Sequence, residues 1–461
     1  MKKMFTRLFS TALLATLTMV GFTVKAQTQL ADSAVPSAAI TTVQATVTAE
    51  VKPEVKATAD TKAEVKKEKA AEDTSWKPQR RLWGYAFGDL YYNAHADKAN
   101  RGGEQMYNGV PQYRNAFQFR RLYLGYDYEI NKKFKVEVLL ASEPNANTGV
   151  NGSTAIQNGD NLVDGKMAFW IKNFNIRVRD LWNGTDFVIG EISTPGFALN
   201  EPGTNGPVSL SESTWAYRSI EKTITDVHKN NSYDLGAALQ GTFDPATKNF
   251  GYVLMVGNNS QASLLGASNP NTGFYKIFYG DIWGKFLDKK LYVDIYADYA
   301  RTAPATFAIP GQEHNMFKIF AAYQTKPISV GVEAYTQKFG YGVNKAGAAE
   351  DATAQGLSIW ARGAISKTLN YFARFDAYQP DTKFDPTASY TINTNYGAYN
   401  PTVKEQFYTL GLDYQPVKGV HFEPNIWLVD YKDNRNASTA GYVAPDHNLV
   451  GRFTVYYVFG K

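Results

Sequence analysis

From residue 80 to the last residue the chain alternates apolar and polar side chains, and this period of two narrows its fold more than any other feature. Leu122, Leu124, Tyr126 and Tyr128 are separated by Tyr123, Gly125 and Asp127. Phe134, Val136, Val138 and Leu140 alternate with Lys135, Glu137 and Leu139. Leu291, Val293, Ile295 and Ala297 alternate with Tyr292, Asp294, Tyr296 and Asp298, and Tyr408, Leu410, Leu412 and Tyr414 repeat the pattern. A helix would return its apolar residues every third or fourth position, so these segments are strands with one apolar and one polar face. Two architectures suit such strands. In a soluble sandwich the apolar face points inward; in a membrane barrel it points to lipid and the polar face lines the lumen.

Connection lengths separate the two. The pattern predicts strands near 82–92, 116–130, 133–142, 166–178, 185–194, 232–243, 250–258, 274–286, 291–301, 315–325, 328–338, 355–365, 370–378, 405–415, 420–430 and 448–460. Connections after the even-numbered strands are short, as at 131–132, 326–327 and 416–419. Those after the odd-numbered strands are long: 93–115, 143–165, 195–231, 259–273, 302–314, 339–354, 379–404 and 431–447. A sandwich has no reason to keep that parity. The expected fold is all-β, a transmembrane antiparallel β-barrel of about 16 strands with short periplasmic turns and long outer loops. Phe453, Val455, Tyr457 and Phe459 give the closing strand an aromatic outer face, and Trp83, Tyr85, Tyr126, Tyr128, Tyr299 and Tyr431 suit interfacial girdles.

The first 79 residues are different. Lys2, Lys3 and Arg7 precede a mostly apolar run, and Val24-Lys25-Ala26 places small residues where signal peptidase reads, so 1–26 is expected to be a cleaved signal peptide and the protein exported. Residues 27–79 have no aromatic side chain before Trp76 and mix Lys with Glu without an apolar stripe, which describes a low-complexity charged periplasmic linker. The barrel domain is then 80–461. A net charge of +5, from 48 basic and 43 acidic residues, carries no nucleic-acid footprint, and the absence of Cys removes disulfides and thiolate chemistry.

About 16 strands enclose a lumen too wide for their own side chains to fill, so an open pore follows unless something folds into it. The longest connection, 195–231, is the candidate. Ser209-Leu210-Ser211-Glu212 offers a capping box ahead of a short predicted helix at 213–226. On that helix Arg218 and Lys222 share a face, with Glu221 and Asp226 close by, and a charged helix in a pore sets both bore and field. A helix packed on the outer rim is the alternative. Alternation turns Arg121, Lys135, Arg177, Lys318, Arg362, Arg374 and Arg452 inward, together with Asp127, Glu137, Asp234, Asp294, Asp298, Glu333, Asp376, Asp413 and Glu423. Opposite charges on neighbouring strands would pair across the wall.

DFVIGEISTPGFAL (186–199) resembles the strand-to-loop stretch of porins in the phosphate-selective porin O/P superfamily. WAYRSIEKTITD (215–226), GAALQGTFD (236–244) and YVLMVGNN (252–259) are similar to porins of Bacteroidota. The resemblance covers residues 80–461 and implies a 16-stranded channel, often a homotrimer, with its third outer loop folded inward. It also implies a cell outer membrane location, contact with lipid and lipopolysaccharide, and passive diffusion of small hydrophilic solutes or ions past a constriction at 195–231. Phosphate selectivity is not implied, because nine acidic against seven basic inward residues make no anion ladder.

Catalysis has little to work with. The five histidines, His95, His228, His314, His421 and His447, fall in no H-E-x-x-H pattern, and no nucleophile elbow, phosphate loop, cofactor motif or dedicated metal spacing occurs. His447 beside Asp446 is the only pair that stands out. The expectation is a non-enzyme without cofactor. The alternatives are a structural anchor tethered through the linker, and a hydrolase with its site on the barrel rim.

Overall fold

The computed structural model describes residues 77–101, 107, 109–142, 162–163, 166–167, 169–196, 224–227, 232–258, 275–301, 313–325, 327–392 and 401–460. The expected signal peptide and nearly all of the expected linker lie outside the described residues. β-branched and aromatic residues at alternate positions favour extended backbone, and the strands they form pair in chain order. They are β1 (Arg80–His95), β2 (Asn115–Glu129), β3 (Phe134–Ser142), β4 (Trp170–Trp182), β5 (Thr185–Ser193), β6 (Tyr233–Thr242), β7 (Phe250–Gly257) and β8 (Ile277–Phe286). The second half comprises β9 (Leu291–Arg301), β10 (Glu313–Gln324), β11 (Ile328–Lys345), β12 (Ala348–Ala364), β13 (Leu369–Gln379), β14 (Val403–Val417), β15 (Val420–Asp433) and β16 (Asp446–Phe459). Each pairs antiparallel with its neighbours in the chain, and β16 returns to β1, with Gly84 opposite Phe459 and Leu90 opposite Phe453. The result is a closed 16-strand barrel, which leaves no sheet edge to be satisfied.

Turns and faces follow the residues that make them. The connections after β2, β4, β6, β8, β10, β12 and β14 span two to seven residues. In the first, the Asn131 carboxamide oxygen accepts from the amides of Lys133 and Phe134 at 2.8 Å each, an Asx turn that hands the chain to β3. Asn183-Gly184 and Lys418-Gly419 are two-residue turns in which Gly184 and Gly419 take φ near +81°, a conformation that favours glycine. The outer face is apolar throughout: Phe117 is 88% exposed, Leu410 63%, and Ile282, Ile171 and Leu254 each more than half. Among the described residues no helix is long and apolar enough to cross a membrane.

Two boundaries differ from the sequence expectation. The connection expected at 339–354 is a hairpin arm: β11 and β12 continue past the predicted strand ends to a two-residue turn at Ala346-Gly347, both with positive φ. The arm is further paired by the short strand Tyr390–Ile392, which lies along Val343–Lys345. Neither of its faces must be apolar beyond the membrane, so the alternation that marks the lower strands is missing there. The strand expected at 166–178 begins at Trp170, while Leu162–Val163 and Lys166–Met167 form a separate two-stranded sheet.

Leu410 sits at the middle of β14 on the outer face. Leu410→Arg should cost about 2–4 kcal/mol of folding stability in lipid, the penalty for a cation at the bilayer midplane. On the solvent face of a soluble protein the same change would fall within about 0.5 kcal/mol. Urea titration of the protein folded in vesicles distinguishes the two.

Candidate functional site

The inner face gathers the polar and charged side chains, and strand order sorts them. On β1 to β4 and β16 the inward residues are rich in base. Asp89 accepts from Arg120 Nη1 at 2.9 Å, from Arg452 Nη2 at 2.9 Å and from Thr454 Oγ1 at 2.5 Å. The Arg452 guanidinium lies 4.0 Å from the Trp427 ring centroid. Asp127 pairs with Arg81 at 2.8 Å and Lys135 at 3.5 Å, and Glu137 with Lys135 at 2.7 Å and Arg177 at 3.6 Å. Arg177 also reaches Asp186 of β5 at 3.2 Å. Arg121 stands opposite Phe87, 4.8 Å from the Tyr123 ring. Lys172 Nζ sits among the Tyr123, Trp170 and Tyr233 rings at 5.0 to 5.2 Å.

From β6 to β11 the balance reverses. Asp234, Asp281, Asp294, Asp298 and Glu333 are all buried, against Lys318 as the buried lysine of this arc. Tyr279 donates to Asp234 at 2.8 Å, and Tyr296 to Asp298 at 2.5 Å. His314 Nδ1 lies 3.6 Å from Asp298. Both carboxylate oxygens of Asp281, and Oδ1 of Asp294, have no hydrogen-bond partner among the described residues. The wall is therefore mixed in total but divided in azimuth, basic on one side and acidic on the other. A polar solute between them would meet a field across the lumen.

The remaining predicted residues fall on β12 to β15. Arg374 makes two hydrogen bonds to its strand neighbour Asp376, at 2.8 and 2.5 Å. Arg362 lines a cavity of 650 Å³ together with Asp413, His421 and Glu423 at the short-turn end of the lumen. Outside the spanning strands, burial pushes the Asp97 carboxyl up, but hydrogen bonds from the Arg101 side chain and backbone outweigh it and hold the group below the usual carboxylate range.

The connection after β5 reaches the acidic arc at both of its described ends. Lys318 Nζ donates to the carbonyl of Gly196. At the other end a short helix, α1 (Ile224–Val227), buries Ile224 in a cluster with Val188, Met255, Tyr296 and Tyr335. Thr225 Oγ1 donates to Glu333 Oε1 at 3.0 Å. At this level the wall residues Lys318, Phe320, Glu333 and Ser358 are 0% exposed. Asp226 lies on α1, whereas Arg218, Glu221 and Lys222 lie outside the described residues, as does most of the helix expected at 213–226.

Sequence reasoning missed Asp89 and Asp281, which face inward on β1 and β8, and it also missed Arg120 and Lys172 for a different reason. In the β1–β2 ladder Phe87 is opposite Arg121 and Gly88 opposite Phe119, which leaves Arg120 as an extra residue. In the β3–β4 ladder Leu139 is opposite Asn173 and Leu140 opposite Ile171, which leaves Lys172 extra. Each bulge turns a base to the lumen that strict alternation would send into lipid. The signal was present: two consecutive arginines inside a spanning strand cannot both obey a period of two.

No protein-family model matches the chain, and no curated protein matches it. Solved structures do. The outer membrane channel DcaP of Acinetobacter baumannii aligns with a TM-score of 0.53 at 10% identity, over 83% of this chain and 97% of that one. The anion-selective porin from Comamonas acidovorans aligns at 0.49 with 12% identity, over 83% and 100% of the two chains. The trimer form of OmpT, an outer membrane protein of Vibrio cholerae, aligns at 0.47 with 11% identity, over 83% and 99%. At such identity the likeness to DcaP is one of fold.

Proposed function

We propose that this chain is a porin-type channel of a Gram-negative outer membrane, of the Bacteroidota kind that its sequence resembles, and that small hydrophilic solutes or ions cross it by passive diffusion. The observation that carries this reading is the inversion of an ordinary protein: a closed 16-strand barrel, apolar outside, with its charges inside and divided into a basic and an acidic arc. Residues 195–231 are the constriction in this reading, supported by the bonds from Lys318 to Gly196 and from Thr225 to Glu333. Arg218, Glu221, Lys222 and Asp226 are the charges this segment would bring to the passage. Arg121, Lys135, Glu137, Arg177, Asp294, Asp298, Lys318, Glu333, Arg362, Arg374 and Asp376 are the wall charges that solutes would meet. A cleaved signal peptide at 1–26, a periplasmic linker at 27–79, a homotrimer, and contact with lipopolysaccharide at the outer loops complete the reading.

The test is single-channel recording in planar bilayers, with the reversal potential taken under a salt gradient. Small, nearly ohmic steps with weak ion preference are expected, because the bore is narrow and the two arcs oppose each other. No conductance from folded protein would sink the channel reading. The packed level around Phe320 and Glu333 favours one second reading, a plugged barrel that anchors the envelope through its linker. Deleting the linker would then weaken the envelope, whereas a channel would conduct unchanged.

A further inference from the structure

The proposed passage assigns no role to the pair His447 and Asp446, yet the fold adds a third member to it from the opposite end of the barrel sequence. His95, at the long-loop end of β1, places Nε2 2.7 Å from Asp446 Oδ1. His447 Nδ1 approaches the same oxygen at 3.7 Å, and the two imidazole rings stack with centroids 4.1 Å apart at 19°. Their ligand atoms all lie within 4.8 Å of one another.

A bulge makes this meeting possible. Asn93 is opposite Val450 and His95 opposite Leu449, so Ala94 is an extra residue. In a regular ladder His95 would face Asn448, which is buried on the lumen side. The bulge moves it to the other face, beside His447, and bulges characteristically re-aim a side chain in this way. The carboxylate is held from behind. Lys98 N donates to Asp446 Oδ2 at 3.1 Å and His447 N to Oδ1 at 2.9 Å, and it is Oδ1 that faces the imidazoles. The 97–101 segment that supplies that amide is itself fastened: Asp97 N donates to Asn448 at 2.6 Å, and Arg101 spans Asp97 and the Ala444 carbonyl at 2.9 and 3.0 Å.

We propose that His95, Asp446 and His447 bind one divalent transition-metal cation of the zinc or copper(II) class, at the long-loop end of the seam where the first and last strands close the barrel. Two imidazoles and a carboxylate suit zinc and copper and discriminate against magnesium and calcium, which prefer all-oxygen sites. Three protein ligands leave a further position for water or for a group on an incoming ligand. Both rings are partly exposed, at 28% and 40%, so neither is locked in place by packing on every side.

The full chain, folded in detergent, would be titrated with zinc chloride by calorimetry. One zinc per chain is expected, with affinity falling about tenfold or more in His95→Ala and, separately, in His447→Ala. His421→Ala, in the lumen cluster with Asp413 and Glu423, should leave binding unchanged. Copper(II) bound to the unsubstituted chain should show coupling to two imidazole nitrogens by electron paramagnetic resonance, a readout that requires no variant to fold. Absence of saturable binding, undiminished binding in either rim variant, loss in His421→Ala, or coupling to a single nitrogen would each overturn the site.

Discussion

Asp89→Ala should destabilise the folded barrel by about 3–5 kcal/mol, the cost of removing one partner from a buried charge cluster. Arg120, Arg452 and Thr454 all donate to Asp89, and neither its side chain nor that of Arg452 is exposed. Without the carboxylate, two guanidinium groups would stand close together in the lumen wall, Arg452 4.0 Å and Arg120 5.5 Å from the Trp427 ring centroid. The cluster also spans the seam, because Asp89 belongs to β1, Arg120 to β2 and Arg452 to β16. Its loss should therefore appear in the step that closes the barrel. Asp89→Asn keeps an acceptor and most of the packing, so it should cost less. Replacing all three charged members with apolar residues of similar volume should recover much of the loss, since such swaps are often near neutral. Urea midpoints of the three variants in vesicles check this, and a shift in Asp89→Ala no larger than in Asp89→Asn would contradict it.

The faces of the strands were legible because a period of two is a local property. Leu410, Ile295 and Phe453 turn outward, and Asp294, Lys318 and Glu333 inward, without any knowledge of which strands are neighbours. Strand count followed from the number of alternating runs, and the choice of a barrel over a sandwich from the alternation of short and long connections. Part of what failed depends on a single inserted residue. Arg120, Lys172 and His95 each follow or occupy a bulge, and one extra residue reverses the face of all that comes after it. The hairpin arm past Phe339 escaped because a strand without a lipid face has no apolar alternation to reveal it. The division of charge was within reach and was lost by counting. In a barrel paired in chain order, strand number is azimuth, so sorting the inward charges by strand, rather than summing them, separates the arcs. The partners of α1 were not legible, because the contact between Thr225 and Glu333 joins a loop to a wall over a hundred residues away.

Deleting residues 198–223 and joining the flanks through a short glycine linker should raise single-channel conductance several-fold while leaving the barrel folded. The expectation follows from where the flanks lie. Gly196 accepts from Lys318, and Ile224 packs against Tyr296 and Tyr335, so the segment between them leaves and re-enters at the level where wall side chains lose all exposure. Under the proposed constriction, the deletion takes material out of the passage, but no strand and no member of the Asp89 cluster. With the segment gone, the acidic arc of Asp281, Asp294 and Glu333 would face the basic arc across water alone. Ion preference should then follow the wall, and Glu333→Gln in the deletion background should shift the reversal potential toward anions. The point substitution matters because a wider hole could also come from a damaged barrel, whereas a directed shift in selectivity could not. Unchanged conductance after deletion, with the barrel intact, would place the constriction elsewhere and leave residues 195–231 a role outside the passage.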